Sequence, residues 1–145
     1  MPTSRATRRA SRRKRRGHGN EQRLRELSAT FGRGDLAGVL AGCTDDVIFA
    51  VPGFAWPSGT YSRDEFIPWI EGVMGRTGGT FKEDVVDVVA NDEHGVLLVV
   101  HTFEREGTRH EYQTAHLVEF RGDQVSRWTE HPGSMKEFEA AWGRK

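Results

Sequence analysis

The sequence predicts an α+β fold, a curved antiparallel sheet that forms a cone with helices packed on its concave face. Three observations predict it. Apolar residues recur at helical spacing in the first half of the chain and at strand spacing from Thr80 onward. Four β-rich runs then follow one another across short turns, which makes an antiparallel meander. The remaining amphipathic segments are helices, and their apolar stripes must be buried against one face of that meander.

The elements follow in order. Leu24, Leu27 and Phe31 share a helical face in "NEQRLRELSATF", which Gly32 ends. Asp35 can cap a short second helix carrying Leu36, Val39 and Leu40. "TDDVIFAVPG" reads as a strand stopped by Pro52 and Gly53, and "FAWPSGTYS" as a loop. Ser62 and Glu65 have capping-box spacing ahead of Phe66, Ile70, Val73 and Met74, with Pro68 expected to kink or shift the start. "TFKEDVVDVVA", "VLLVVHTFER", "RHEYQTAHLVEF" and "QVSRWTEH" are the four strands. The "RGD" at 121–123 lies between apolar strands and reads as a hairpin turn rather than an adhesion motif. Ser134 and Glu137 begin a last helix with Met135, Phe138 and Trp142 on one stripe.

A length of 145 residues suits one domain. The zero formal charge hides a split: residues 1–16 hold eight Arg/Lys and no acid, leaving 13 basic against 21 acidic residues in the rest. Residues 1–19 are expected to form a disordered basic arm, and residues 20–145 the folded domain. The arm's functional reading is nucleic-acid contact through counterion release, but no recognition motif follows it, and a solvated tail serves as well. Its arginine pairs lack the apolar stretch of an export signal. Cys43 is the only cysteine, so neither a disulfide framework nor a thiolate metal site is expected. No apolar run approaches membrane-spanning length, and a cytoplasmic location with no membrane partner is the expectation.

Alternation sorts the strands into two faces. If the turn at Glu106-Gly107 leaves two residues unpaired, His101 lies opposite Tyr112. One face then collects Leu97, Val99, His101 and Phe103 with Tyr112, Thr114, His116 and Val118. The other is too apolar at Val96, Leu98, Val100, Ala115 and Leu117 to be fully wet, so a second copy is expected to cover it as a homodimer across the sheet. A single histidine on the first face is ordinarily a core residue satisfied by one hydrogen bond. His101, Tyr112 and His116 together mark a site where a low dielectric shifts protonation equilibria toward usefulness. The simple register at Gly122-Asp123 pairs Phe120 with Val125 and His116 with Thr129, which points Trp128 and Glu130 the other way. One β-bulge in the last strand would turn both into the hollow. Without it, Trp128 is an interface residue. Phe49, Phe54, Trp56 and Tyr61 are dense where a pocket mouth is expected, which suits a flat or ring-shaped apolar ligand.

The order of elements, with "LSATFGRGDLAGVLAGCTDDVIFAVPG", "SGTYSRDEF", "TAHLVEFRGDQVSRW" and "FEAAWG", resembles the SnoaL-like branch of the nuclear-transport-factor-2-like superfamily over roughly residues 21–143. That superfamily includes ketosteroid isomerases, polyketide cyclases, limonene-epoxide hydrolases and scytalone dehydratases. The resemblance implies a cystatin-like roll, often dimeric, with an acidic side chain and polar partners that move protons on apolar substrates. It also implies a carboxylate near the end of the last strand, matched by Glu130, and a histidine on the preceding strand, matched by His116. Glu130 stands where Asp is more usual, and Ser134 where relatives often carry an acid.

The expected function is therefore acid–base chemistry, of isomerase, cyclase or hydrolase type, on an apolar cyclic or polyketide- or terpene-like metabolite. His116, Glu130 and Tyr112 are the catalytic candidates, with Phe49, Trp56, Tyr61, His101 and Trp128 contacting substrate. No cofactor is expected, because the histidines lack paired metal-ligand spacing and no glycine loop suits a nucleotide. The alternative is a non-catalytic dimeric module that binds a small ligand or serves assembly. A third reading makes the domain a dimerisation unit presenting two basic arms to nucleic acid.

Overall fold

A computed structural model describes residues 18–143. The basic arm lies outside the described residues except for His18 and Gly19. The first helix, α1 (Gly19–Gly32), is capped by His18, whose ring accepts from the Asn20 N–H. Asp35 accepts from the Gly38 N–H at the start of α2 (Leu36–Ala41), as its position predicts. Strand β1 (Cys43–Val51) is followed by β2 (Gly59–Ser62), a strand within the segment read as a loop. Its four residues have no strand pattern of their own and are extended because they pair with Ile48–Val51 of β1. Ser62 and Glu65 form the expected capping box of α3 (Arg63–Arg76). That helix is continuous through Pro68 and starts where the box puts it, so the start is not shifted.

The meander is β3 (Lys82–Ala90), β4 (His94–Arg105), β5 (Thr108–Arg121) and β6 (Gln124–Pro132), and α4 (Met135–Trp142) closes the domain. The six strands lie in the order β2-β1-β6-β5-β4-β3, open at both edges. All neighbours are antiparallel except β1 and β6, which run parallel. The β4–β5 turn uses positive φ at Glu106 (52°) and Gly107 (79°), the backbone that a two-residue hairpin loop requires. It fixes the predicted pairing of His101 with Tyr112.

The register shifts at three places: between Cys43 and Ile48 where β1 meets β6, between Val85 and Asp87 in β3, and between Glu119 and Phe120 where β5 meets β6. Phe120 still faces Val125, but Glu119 faces Arg127, so Ser126 is the extra residue. His116 therefore pairs with Glu130 and not with Thr129, which corrects the simple register. The helices fill the concave side, where Leu24 is fully buried among Leu97, Val118 and Val125. Gly95 permits this, because a Cβ there would collide with Leu24. The convex side leaves Val86, Val89, Leu98 and Leu117 exposed. Among the described residues, no helix is long and apolar enough to cross a membrane.

Candidate functional site

The space between the bent sheet and the helices is hollow. About 90 Å³ of it is open to the centre of a water molecule, several times the ~10–15 Å³ that holds one water. Its walls are aromatic and aliphatic: Phe31 from α1, Phe66 and Trp69 from α3, Phe49 from β1, Phe81 ahead of β3, and Trp142 from α4. Phe49 stacks on Phe66 with centroids 4.4 Å apart.

Five polar groups line the sheet side, and cross-strand pairing brings them together. Glu83 on β3 faces His101 on β4, His101 faces Tyr112 on β5, and His116 on β5 faces Glu130 on β6. His101 is the hub. Its Nε2 lies 2.9 Å from Glu83 Oε1, and its Nδ1 lies 3.0 Å from Tyr112 Oη and 3.5 Å from Glu130 Oε1. Tyr112 Oη accepts from Trp142 Nε1 at 2.9 Å and lies 3.5 Å from Glu130 Oε1. His116 Nδ1 stands 3.4 Å from Glu83 Oε1, and the His116 ring meets Trp128 edge-on.

Burial and charge set the protonation states. Burial pulls the His101 imidazole down, but the Glu83 hydrogen bond and the Glu130 and Glu83 charges outweigh it and leave His101 above its ordinary value. Burial dominates at His116 and holds that ring below its ordinary value, toward the neutral form. Burial also opposes charge on Glu83, yet the two imidazoles more than compensate and keep its carboxyl below the usual range. Tyr112 is pushed far up, first by burial and then by the Glu130 charge, so it stays a phenol and a hydrogen-bond donor.

Most of the residues singled out in the sequence meet here. His101, Tyr112, His116, Glu130, Phe49 and Trp128 all line the cavity. The Ser126 bulge resolves the question of Trp128 and Glu130 in favour of the hollow. Trp56 and Tyr61 do not line it. Trp56 packs edge-on against Trp142 from outside and carries the Arg76 guanidinium over its face. Tyr61 shares a sheet face with its partner Phe49 but lies on the edge strand, where it stacks on Trp69 at 4.3 Å and its hydroxyl donates to the Pro57 carbonyl. Glu83 is the functional side chain that the sequence reading missed. Alternation places Phe81, Glu83 and Val85 on one side of β3, so a carboxylate between two apolar inward positions was the available signal. Glu83, His101 and His116 form a potential ligand set that spacing along the chain did not reveal, since three strands assemble it.

The SnoaL-like domain model matches residues 24–128. The chain belongs to the SnoaL-like domain family. This SnoaL-like domain is similar in fold to Bal32a from a soil-derived mobile gene cassette, with 24% identity, 86% of this chain and 96% of that one covered, and a TM-score of 0.80. An NTF2-like protein of unknown function from Burkholderia pseudomallei matches at 24% identity, 86% and 98% coverage and a TM-score of 0.76. TerC, co-crystallised with polyporic acid, matches at 18% identity, 83% and 95% coverage and a TM-score of 0.72. No curated protein matches this SnoaL-like domain in sequence.

Proposed function

We propose that this SnoaL-like domain performs acid–base chemistry on an apolar, ring-containing small molecule held in the cavity. The observation that carries the reading is the placement of Glu130, with Tyr112 and His101 beside it, at the wall of an otherwise aromatic hollow. An apolar ring lies in the hollow that Phe49, Phe66 and Trp128 line, and its polar edge meets the sheet side. Glu130 takes a proton from a carbon next to a carbonyl. Tyr112 donates to the oxygen on which charge develops, its own oxygen held in place by Trp142. His116, neutral and next to Trp128, is the second candidate for the proton. Returning the proton at another carbon gives isomerisation, and attack of the carbanion on a second carbonyl gives ring closure. The crystallisation of TerC, a protein of the same fold, with polyporic acid supports a small organic ligand.

The test is turnover of a panel of cyclic and polyketide-like ketones. Glu130→Gln lowers kcat on an accepted ketone by about 10²–10⁴-fold while the circular dichroism spectrum is unchanged. An unchanged kcat removes Glu130 from the mechanism. Ligand binding with no turnover in the wild type leaves the non-catalytic binding module as the correct reading.

The exposed apolar residues Leu98, Leu117, Val86 and Val89 on the convex face support a homodimer across the sheet, which we propose as the oligomeric state.

A further inference from the structure

We infer that Glu83, His101 and His116 form a binding site for a first-row divalent transition metal whose open positions face the cavity. Each side chain offers one donor atom, and the three atoms lie within 4.8 Å of one another. The two separations from Glu83 match the requirement. Metal–ligand bonds of about 2.0–2.1 Å place two donors ~2.8–3.0 Å apart at a right angle and ~3.3–3.4 Å apart at the tetrahedral angle. Glu83 Oε1 lies 2.9 Å from His101 Nε2 and 3.4 Å from His116 Nδ1.

Three independent features point the same way. His116 is 5% exposed, and its Nδ1 has no hydrogen-bond partner although it lies 3.4 Å from Glu83 Oε1. A buried polar atom without a partner is unfavourable, and a metal ion supplies the partner. His101 has its other nitrogen held by Tyr112, which Trp142 holds in turn. That is the outer support that fixes the ring of a metal-bound imidazole. Finally, two carboxyl groups and two imidazoles share one apolar cavity. A divalent cation balances two carboxylates while both imidazoles stay neutral, which lowers the cost of burying four ionisable groups.

Two imidazole nitrogens and one carboxylate oxygen suit zinc, cobalt or iron(II) and not magnesium or calcium, which take oxygen ligands. The inference rests on the acid–base reading only for its consequence. A metal held by Glu83, His101 and His116 would supply Lewis-acid polarisation of the ligand's carbonyl, with Glu130 in the same cavity as the base.

The test uses the full-length chain without an affinity tag, stripped with a chelator. It is titrated with Co²⁺ by visible absorption and with Zn²⁺ against a chromophoric chelator. The expected result is one equivalent per chain, ligand-field bands of a low-coordinate site, and no competition by Mg²⁺ or Ca²⁺. Tyr112→Phe weakens Zn²⁺ binding about 10–100-fold, and Glu83→Gln and His116→Gln weaken it further. His18→Gln, which alters the surface His18–Asp92 pair, leaves the stoichiometry unchanged. Absence of cobalt bands in the wild-type chain overturns the inference, a result that depends on no variant folding. Zinc binding that survives both Glu83→Gln and His116→Gln, each checked by circular dichroism, overturns it as well. If metal binding fails while Glu130→Gln still abolishes turnover, only this inference falls. If metal binds while turnover ignores Glu130, only the acid–base reading falls.

Discussion

His101 shows how one residue organises the site. Its ring joins Glu83 on one side to Tyr112 and Glu130 on the other, so positive charge, as a proton or a metal ion, is favoured beside two carboxyl groups. Tyr112 is held between Trp142, His101 and Glu130. Tyr112→Phe leaves the Trp142 N–H without its acceptor in a buried place, at a cost of about 1–3 kcal/mol that urea denaturation measures. An unchanged midpoint would mean that the hydroxyl does not hold the network. Cys43 illustrates what burial does to a thiol. It lies under α2, with its thiol donating to the Val39 carbonyl. Burial, only partly offset by Arg63, raises it from 9.0 to about 11. A raised folded value favours the native state below the unfolded one, and that contribution is lost as pH rises through about 11. A thiol-specific alkylating reagent at pH 8 should therefore label native protein far more slowly than urea-unfolded protein. Equal rates would show that the thiol is open to solvent.

At the scale of elements, the β-bulge at Ser126 decides what the last strand presents. It adds one residue to β6, which turns Trp128 and Glu130 from the convex face into the cavity. Deleting Ser126 removes the extra residue and leaves Val118 opposite Trp128 and His116 opposite Glu130, so tryptophan emission and turnover should stay close to wild type. A red shift in that emission with loss of turnover would mean that the bulge itself, and not the pairing it permits, holds Trp128 in the cavity. Gly95 makes a similar decision for α1. Gly95→Ala sets a Cβ against Leu24 in the core and should destabilise the fold by about 1–3 kcal/mol. A denaturation midpoint equal to the wild type would show that α1 yields freely.

The same elements explain what the sequence made legible. Helix caps and strand alternation are local, and they placed α1, α2, α3, α4 and the meander. The two-residue turn at Glu106-Gly107 then carried the β4–β5 register to the far ends of both strands. That is why His101, Tyr112 and His116 could be put on one face. Strand β2 and the parallel pairing of β1 with β6 are long-range facts without a local signature. The packing of Trp56 on Trp142 and of Tyr61 on Trp69 is long-range in the same way, so both were read as lining the hollow. A bulge has no sequence mark either, so Glu130 remained open between two faces. Glu83 was lost because β3 had no register to a partner that would set its carboxylate beside His101.

For the whole molecule, the bent sheet separates two jobs. Its concave side holds an aromatic hollow with proton-carrying groups on one wall, and its convex side leaves apolar residues exposed, the face proposed to meet a second copy. Leu98→Glu combined with Leu117→Glu should convert a dimer to a monomer in sedimentation velocity, with the fold retained. A wild-type chain that sediments as a monomer would remove the proposed interface. The central claim, proton removal in the hollow, can be measured without knowing the natural substrate. In deuterated water, NMR follows exchange of the hydrogens next to the carbonyl of a bicyclic ketone such as 2-tetralone. The wild-type chain should accelerate that exchange well above buffer, and Glu130→Gln should remove about 10²–10⁴-fold of the acceleration. Exchange by the wild type no faster than by the Glu130→Gln chain would contradict the account.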